Sequence, residues 1–317
     1  MRLINYVTPA ICCFALFLSC SKDSTNSSIQ EEEELTTNLD LNARAAAKKL
    51  YVDYYLASNS DNSEAAWTGN EQTCQPGTVP EPIRDKILMR LHYFRKAAGL
   101  HNTIIENVTK SNKSQQAALM MHANTALNHF PPDSWKCFTN EGKEAAANAL
   151  LTSTKNSASI DSYIRDWGNE NYPVGHRRWL LWPRLQEIGI GNTSRYNAVW
   201  VLGNAGSVPD DAPEFVAWPP EGYLPNKLAY SRWSFSIANA DFSNTSISMR
   251  TENGNSISIE IEELTGIYGD NTIVWLPEIN TNNLTEDSTY SITIDNVLIN
   301  SEPQKFEYNV TLFNPDN

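Results

Sequence analysis

The chain has 317 residues, of which 41% are hydrophobic and 10% aromatic, proportions ordinary for globular folding, and a formal net charge of −13. That acidic balance argues against a nucleic-acid partner, because neutralising phosphates needs a basic surface. Roughly 300 residues beyond a leader are enough for about two domains, each with its own core.

The first twenty residues, MRLINYVTPAICCFALFLSC, carry Arg2 and then an apolar run from Ala10 to Leu18. The run is too short to span a bilayer and reads as the hydrophobic region of a secretory signal over 1–20. It ends Leu18-Ser19-Cys20, which resembles the lipobox of bacterial lipoproteins; Cys20 is then either a lipidated anchor or a free thiol beside an ordinary cleavage site. Residues 21–38, polar and without aromatics, cannot bury enough surface to fold and read as a tether. With Cys12 and Cys13 in the signal, only Cys74 and Cys137 remain. In an exported chain they are expected to form a disulfide, closing a loop of about 64 residues, worth roughly 3–5 kcal/mol; two unpaired thiols are the alternative.

LNARAAAKKLYVDYYLAS, residues 41–58, predicts a helix laid against another element. Pro82 and Gly99 bracket a second, with Ile87, Leu91, Phe94 and Ala98 on one face. A third is predicted from about Lys113 to Asn128, its stripe running Leu119, Ala123, Ala126, Leu127 and Phe130, which places His129 at a helix C-terminus. SIDSYIRDW gives a fourth, with Ile160, Tyr163, Ile164 and Trp167 at helical spacing, and EIGIGNTSRYNAVWVLG turns toward strand. Beyond Gly206 a Pro-rich stretch, VPDDAPEFVAWPPEGYLP, leads into six or seven short alternating runs, with Asn253-Gly254 as a hairpin signal. That pattern fits an antiparallel sandwich over 207–317.

Five pieces in order carry a resemblance: LMRLHYFRKAAGL (88–100), SQQAALMMHANTALNHF (114–130), SWKCFTNEGKEAAANALL (134–151), GHRRWLLWP (175–183) and EIGIG (187–191). Together they resemble the CAP superfamily of cysteine-rich secretory, antigen 5 and plant pathogenesis-related proteins, within a bacterial branch that adds a C-terminal β domain. The resemblance implies an α+β fold: a CAP α-β-α sandwich with a central antiparallel sheet, core 80–205 within 39–206, followed by an antiparallel, Ig-like β-sandwich. It also implies a cavity lined by two His and two acidic residues. His129 matches the first His and His176 the His of the Gly-His motif, with Gly189 thirteen residues further on. The first carboxylate is most like Glu144, with Glu141 competing; for the second, Asp166 and Glu170 both stand in range.

Two neutral imidazoles and a carboxylate are an adequate set for zinc, so His129, His176 and Glu144 form a candidate metal set. Without metal the same groups could shuttle a proton, or simply floor a polar cavity through hydrogen bonds. His122 and His129 lie seven apart, which one helix would separate by about 10 Å. No Gly-x-Ser-x-Gly elbow and no His-Glu-x-x-His motif occurs in the chain. In NYPVGHRRWLLWP, Trp179 and Trp182 are expected to pack, and Arg177 and Arg178 to pair with acids such as Asp166 or Glu187. The expectation for function is a lipid-anchored, non-enzymatic binder of a lipid, glycan or peptide at the His/acidic cavity, on the bacterial outer membrane and exposed outward. A zinc-dependent hydrolase and a structural surface protein are the alternatives.

Overall fold

The structure is a computed structural model and describes residues 43–60, 67–282 and 284–317. The signal, Cys20 and the tether lie outside the described residues. Among those described, no helix is long and apolar enough to cross a membrane.

Helix α1 (Arg44–Leu50) continues as a π-helical segment, Tyr51–Leu56. Then come α2 (Glu81–Ala97), β1 (Ile105–Glu106), α3 (Val108–Asn124), α4 (Asn140–Asn148), β2 (Ala149–Thr152), α5 (Ala158–Arg165), α6 (Gly175–Leu180), β3 (Glu187–Asn192) and β4 (Asn197–Trp200). The sheet order is β1-β3-β4-β2; β1 pairs with β3 in parallel, and the other two pairings are antiparallel.

Side chains alternate across this sheet, as a strand's period of two requires. Leu150, Ile188, Ile190, Val199 and Val201 face a core built with α2, α5 and α6. Ala149, Leu151, Ala198 and Trp200 face the other way, onto Ala117, Ala118 and Met121 of α3 and Ala145 and Ala146 of α4. The sheet is thus covered by helices on both sides. Small residues let α3 come close: a side chain at Gly189 would collide with Lys110, and one at Gly191 with the Ser114 backbone.

Two of the predicted helices end early. Asn107 caps α3 through its side chain, 3.1 Å from Lys110 N, and Thr125, in the left-handed conformation (φ 52°), closes it. Leu127 and Phe130 are therefore exposed rather than part of a buried stripe, and His129 sits in the loop beyond the helix. Likewise Asp166, at φ 50°, ends α5 and turns Trp167 out to solvent, while Ile160, Tyr163 and Ile164 are buried. Cys74 and Cys137 are bonded to each other.

The rest of the chain is strand-rich: β5 (Val216–Trp218), β6 (Gly222–Pro225), β7 (Trp233–Ile237), β8 (Ser246–Thr251), β9 (Ser256–Ile257), β10 (Ile259–Ile261), β11 (Asn271–Pro277), β12 (Ser288–Ile299) and β13 (Glu302–Phe313). They form one sheet of order β10-β11-β7-β5 and another of order β6-β13-β12-β8-β9, in which β6 and β13 run parallel. Rings join the sheets: Trp233 meets Tyr290 edge-on at 6.1 Å, and Phe235 meets Phe306 at 5.2 Å. The Asn253-Gly254 signal is realised as the β8–β9 turn, with Gly254 at φ 80°.

The described residues belong to one compact unit. Phe94 of α2 packs on the buried Trp218 of β5 at 5.2 Å, so one apolar core runs from the central sheet into the β region. Helix α1 adds a brace. Tyr51 and Tyr55 meet Tyr93 of α2, while Arg44 pairs with Asp287 at 2.9 Å and lies over Phe313.

Candidate functional site

A cavity of about 440 Å³ opens between the loop after α3, the start of β2, the α5–α6 connection and the segment after β10. His129 and His176 both line it, together with Phe130, Leu150, Glu170, Trp179, Ile267 and Tyr268.

His176 is held from behind. Asp166, 1% exposed, accepts a hydrogen bond from His176 Nδ1–H at 2.6 Å through one carboxylate oxygen. Its other oxygen accepts the backbone N–H groups of His176 at 2.9 Å and Arg177 at 3.3 Å. The left-handed turn at Asp166 and a second at Val174 (φ 46°) fold the connection so that the carboxylate meets the first turn of α6. A β-branched residue seldom adopts that conformation, so the buried Val174 is a strained position fixed by its surroundings. The His176 ring lies against Tyr163 at 5.6 Å, and the Tyr163 hydroxyl is anchored on Leu150 O at 3.0 Å and Asn197 Oδ1 at 2.9 Å.

His129 is fixed differently: its Nδ1 lies 2.8 Å from Ala146 O. A carbonyl oxygen only accepts, so Nδ1 carries the proton. The same holds for His176 against the Asp166 carboxylate. In their neutral forms both rings therefore offer a ligand Nε2, an acceptor.

The four candidates for the two expected carboxylates have separate placements. Asp166 stands behind His176 and orients it, whereas Glu170, in a short 3-10 turn (Asn169–Asn171), lines the cavity. Glu144 is not in the cavity wall; it lies on the exposed side of α4, paired with Lys113 at 2.7 Å. Glu141 is likewise directed to Gln116. The metal set His129, His176 and Glu144 is thus not brought together, because α4 turns its Glu144 face toward α3 rather than the cavity. Among the described residues no group of three or more His, Cys, Asp or Glu is placed to hold a metal ion. Without Glu144 that set falls short of the three or more protein ligands a zinc site needs. His122, with Trp67 and Tyr196 rings beside it at 5.2 and 5.9 Å, is away from the cavity.

The arginines behind His176 depart from expectation. Arg177, fully buried, donates to Ile164 O at 2.7 Å, Arg232 O at 2.8 Å and Ser234 Oγ at 3.0 Å. Burial lowers its pKa to about 10, against the opposing pull of Asp166. Arg178 donates to Thr265 O and Asp270 O, and burial likewise brings it down to about 10. Both reach backbone carbonyls of the β region rather than the carboxylate forks anticipated. Carbonyl groups at strand and loop ends carry no residue-type signature, so sequence could not point to them. Ile267 and Tyr268 escaped notice for a related reason, being ordinary loop residues, and Phe130 had been expected in the α3 stripe rather than at a cavity.

No curated protein sequence matches the chain. Residues 89–202 match the model of the cysteine-rich secretory protein family, CAP. That span runs from within α2 to just past β4 and contains His129, Asp166 and His176, which supports a CAP superfamily domain in this part of the chain.

Proposed function

We infer that the chain is a binding protein whose cavity takes an amphipathic ligand with a hydrogen-bond donor at one end, such as a hydroxyl or amine, and an apolar body. The observation that carries this reading is the fixed tautomer of the two cavity histidines, each with its Nδ1 proton engaged and its Nε2 left as acceptor. Glu170 adds a further acceptor, while Leu150, Trp179 and Phe130 offer apolar surface. A carboxylate or phosphate head would meet three acceptors in the two Nε2 atoms and Glu170. Two histidine acceptors, Glu170 and apolar side chains lining one cavity support binding. Attachment to the cell envelope through a lipidated Cys20 belongs to the same proposal; a mass shift lost in Cys20→Ala would support it, and an unmodified thiol would oppose it.

Native mass spectrometry and calorimetric titration with dodecanol, dodecylamine and dodecanoic acid test the cavity. At neutral pH the alcohol and amine are expected to bind at least about tenfold tighter than the acid, a difference of about 1.4 kcal/mol. His176→Ala should weaken the alcohol by about tenfold, the cost of one lost hydrogen bond at a buried site. Equal or tighter binding of the acid, or no binding of any of the three, would overturn the assignment.

A further inference from the structure

The cavity has a wall that does not come from the helices or the central sheet. Ile267 and Tyr268, from the segment joining β10 to β11, line it beside the helix that carries His176. Ile267 is 72% exposed and Phe130 76% exposed, yet both border the same cavity, an apolar pair facing solvent at its mouth.

The segment carrying Ile267 is bolted to the helix that carries His176. Arg178 Nη1 donates to Thr265 O at 3.0 Å and Nη2 to Asp270 O at 2.9 Å, so one guanidinium grips both ends of the loop. Trp182 Nε1 donates to Asp270 Oδ1 at 2.9 Å. The Tyr268 ring lies under the Arg178 guanidinium at 5.5 Å and rests on Gly175, where an added Cβ would stand 3.0 Å from it. A planar fork with several donors suits this double grip, which a lysine could not reproduce.

We propose that residues 264–270 are the specificity loop of the cavity, holding the apolar tail of the ligand between Ile267 and Phe130, and that Arg178 and Trp182 position this loop relative to His176. This rests on the reading of the cavity as a site for a donor-headed amphiphile and adds which residues measure its length. His176 and His129 meet the head, and the exposed Ile267 and Phe130 meet the tail. The β region is then part of the binding site.

The test is a calorimetric titration of the full chain with the n-alkanols from hexanol to tetradecanol at neutral pH. For the unmodified protein, affinity should rise by up to about fourfold for each methylene buried. Ile267→Ser, at an exposed position that does not endanger folding, should leave hexanol within about twofold and weaken tetradecanol by about tenfold, the value of one to two methylenes. Arg178→Ala should show the same length-selective loss, together with faster amide exchange confined to residues 265–270. His176→Ala should weaken every alkanol by a common factor. An Ile267→Ser protein that loses nothing, or loses equally at all lengths while His176→Ala still weakens binding, overturns the loop assignment alone. Absence of alkanol binding to the unmodified protein overturns the loop assignment together with the cavity reading beneath it.

Discussion

His92 shows how burial sets a residue's chemistry away from the cavity. Its desolvation, helped by the positive Lys96 and Arg95, lowers its pKa from 6.5 to about 4. Ile104 N–H donates to its Nε2 at 3.0 Å, a bond that only the neutral ring accepts. The unfolded chain therefore takes up a proton that the folded chain refuses. Stability from this residue is complete above the unfolded pKa near 6.5 and is lost as pH falls toward about 4. Denaturant titrations near neutrality and near the lower limit should show the His92→Gln protein losing less stability on acidification, by on the order of 2 kcal/mol. An identical pH dependence in both proteins would count against a buried neutral His92. His129 and His176 are a different case, since what distinguishes them is the fixed direction of their acceptors.

At the level of elements, the close seating of α3 on β3 is the feature most sensitive to a small change. Gly191→Ala puts a methyl group into the Ser114 backbone, which cannot yield without moving the helix. The expected cost is roughly 1–3 kcal/mol, read as a fall in denaturation midpoint. Gly266→Ala, with open space around it, should stay within about 0.5 kcal/mol. A neutral Gly191→Ala would mean that α3 is not held so tightly. Much of this layer was legible: the Pro82–Gly99 helix and the Gly-punctuated β3 follow local rules, and the Gly175-His176 pair came from the family resemblance. Helix ends were less so, because Thr125 and Asp166 adopt left-handed caps that ordinary propensity does not favour. Glu144 was misleading for a related reason. Its place in the family motif says which helix it is on, and only the packing of α4 against α3 says which way that helix is turned.

Over the whole molecule, the segment that matches the CAP model and the β region are expected to unfold together. Arg177 lies fully buried at their junction, and two of its three acceptors, Arg232 O and Ser234 Oγ, belong to the β region. Cutting the chain after residue 206 strands that guanidinium and uncovers the face of Phe94 that meets Trp218. Removing one partner of a buried charged group costs about 3–5 kcal/mol, a large fraction of a domain's stability. Scanning calorimetry should therefore record one transition for the full chain, with calorimetric and van't Hoff enthalpies in agreement, and no cooperative transition for the truncated chain. Two separate transitions would show that the regions fold independently. The grip of Arg178 on Thr265 and Asp270 carries a further consequence for how such a protein diversifies. Because its carbonyl acceptors are present whatever side chains the loop bears, Gly266 and Ile267 can vary in sequence while the loop keeps its seat, whereas Tyr268 rests on Gly175 and Gly269 sits at φ 46°. Under the proposed loop assignment, ligand choice would then change through a segment outside the histidine-bearing part, and two chains with the same His129, Asp166 and His176 would select different molecules.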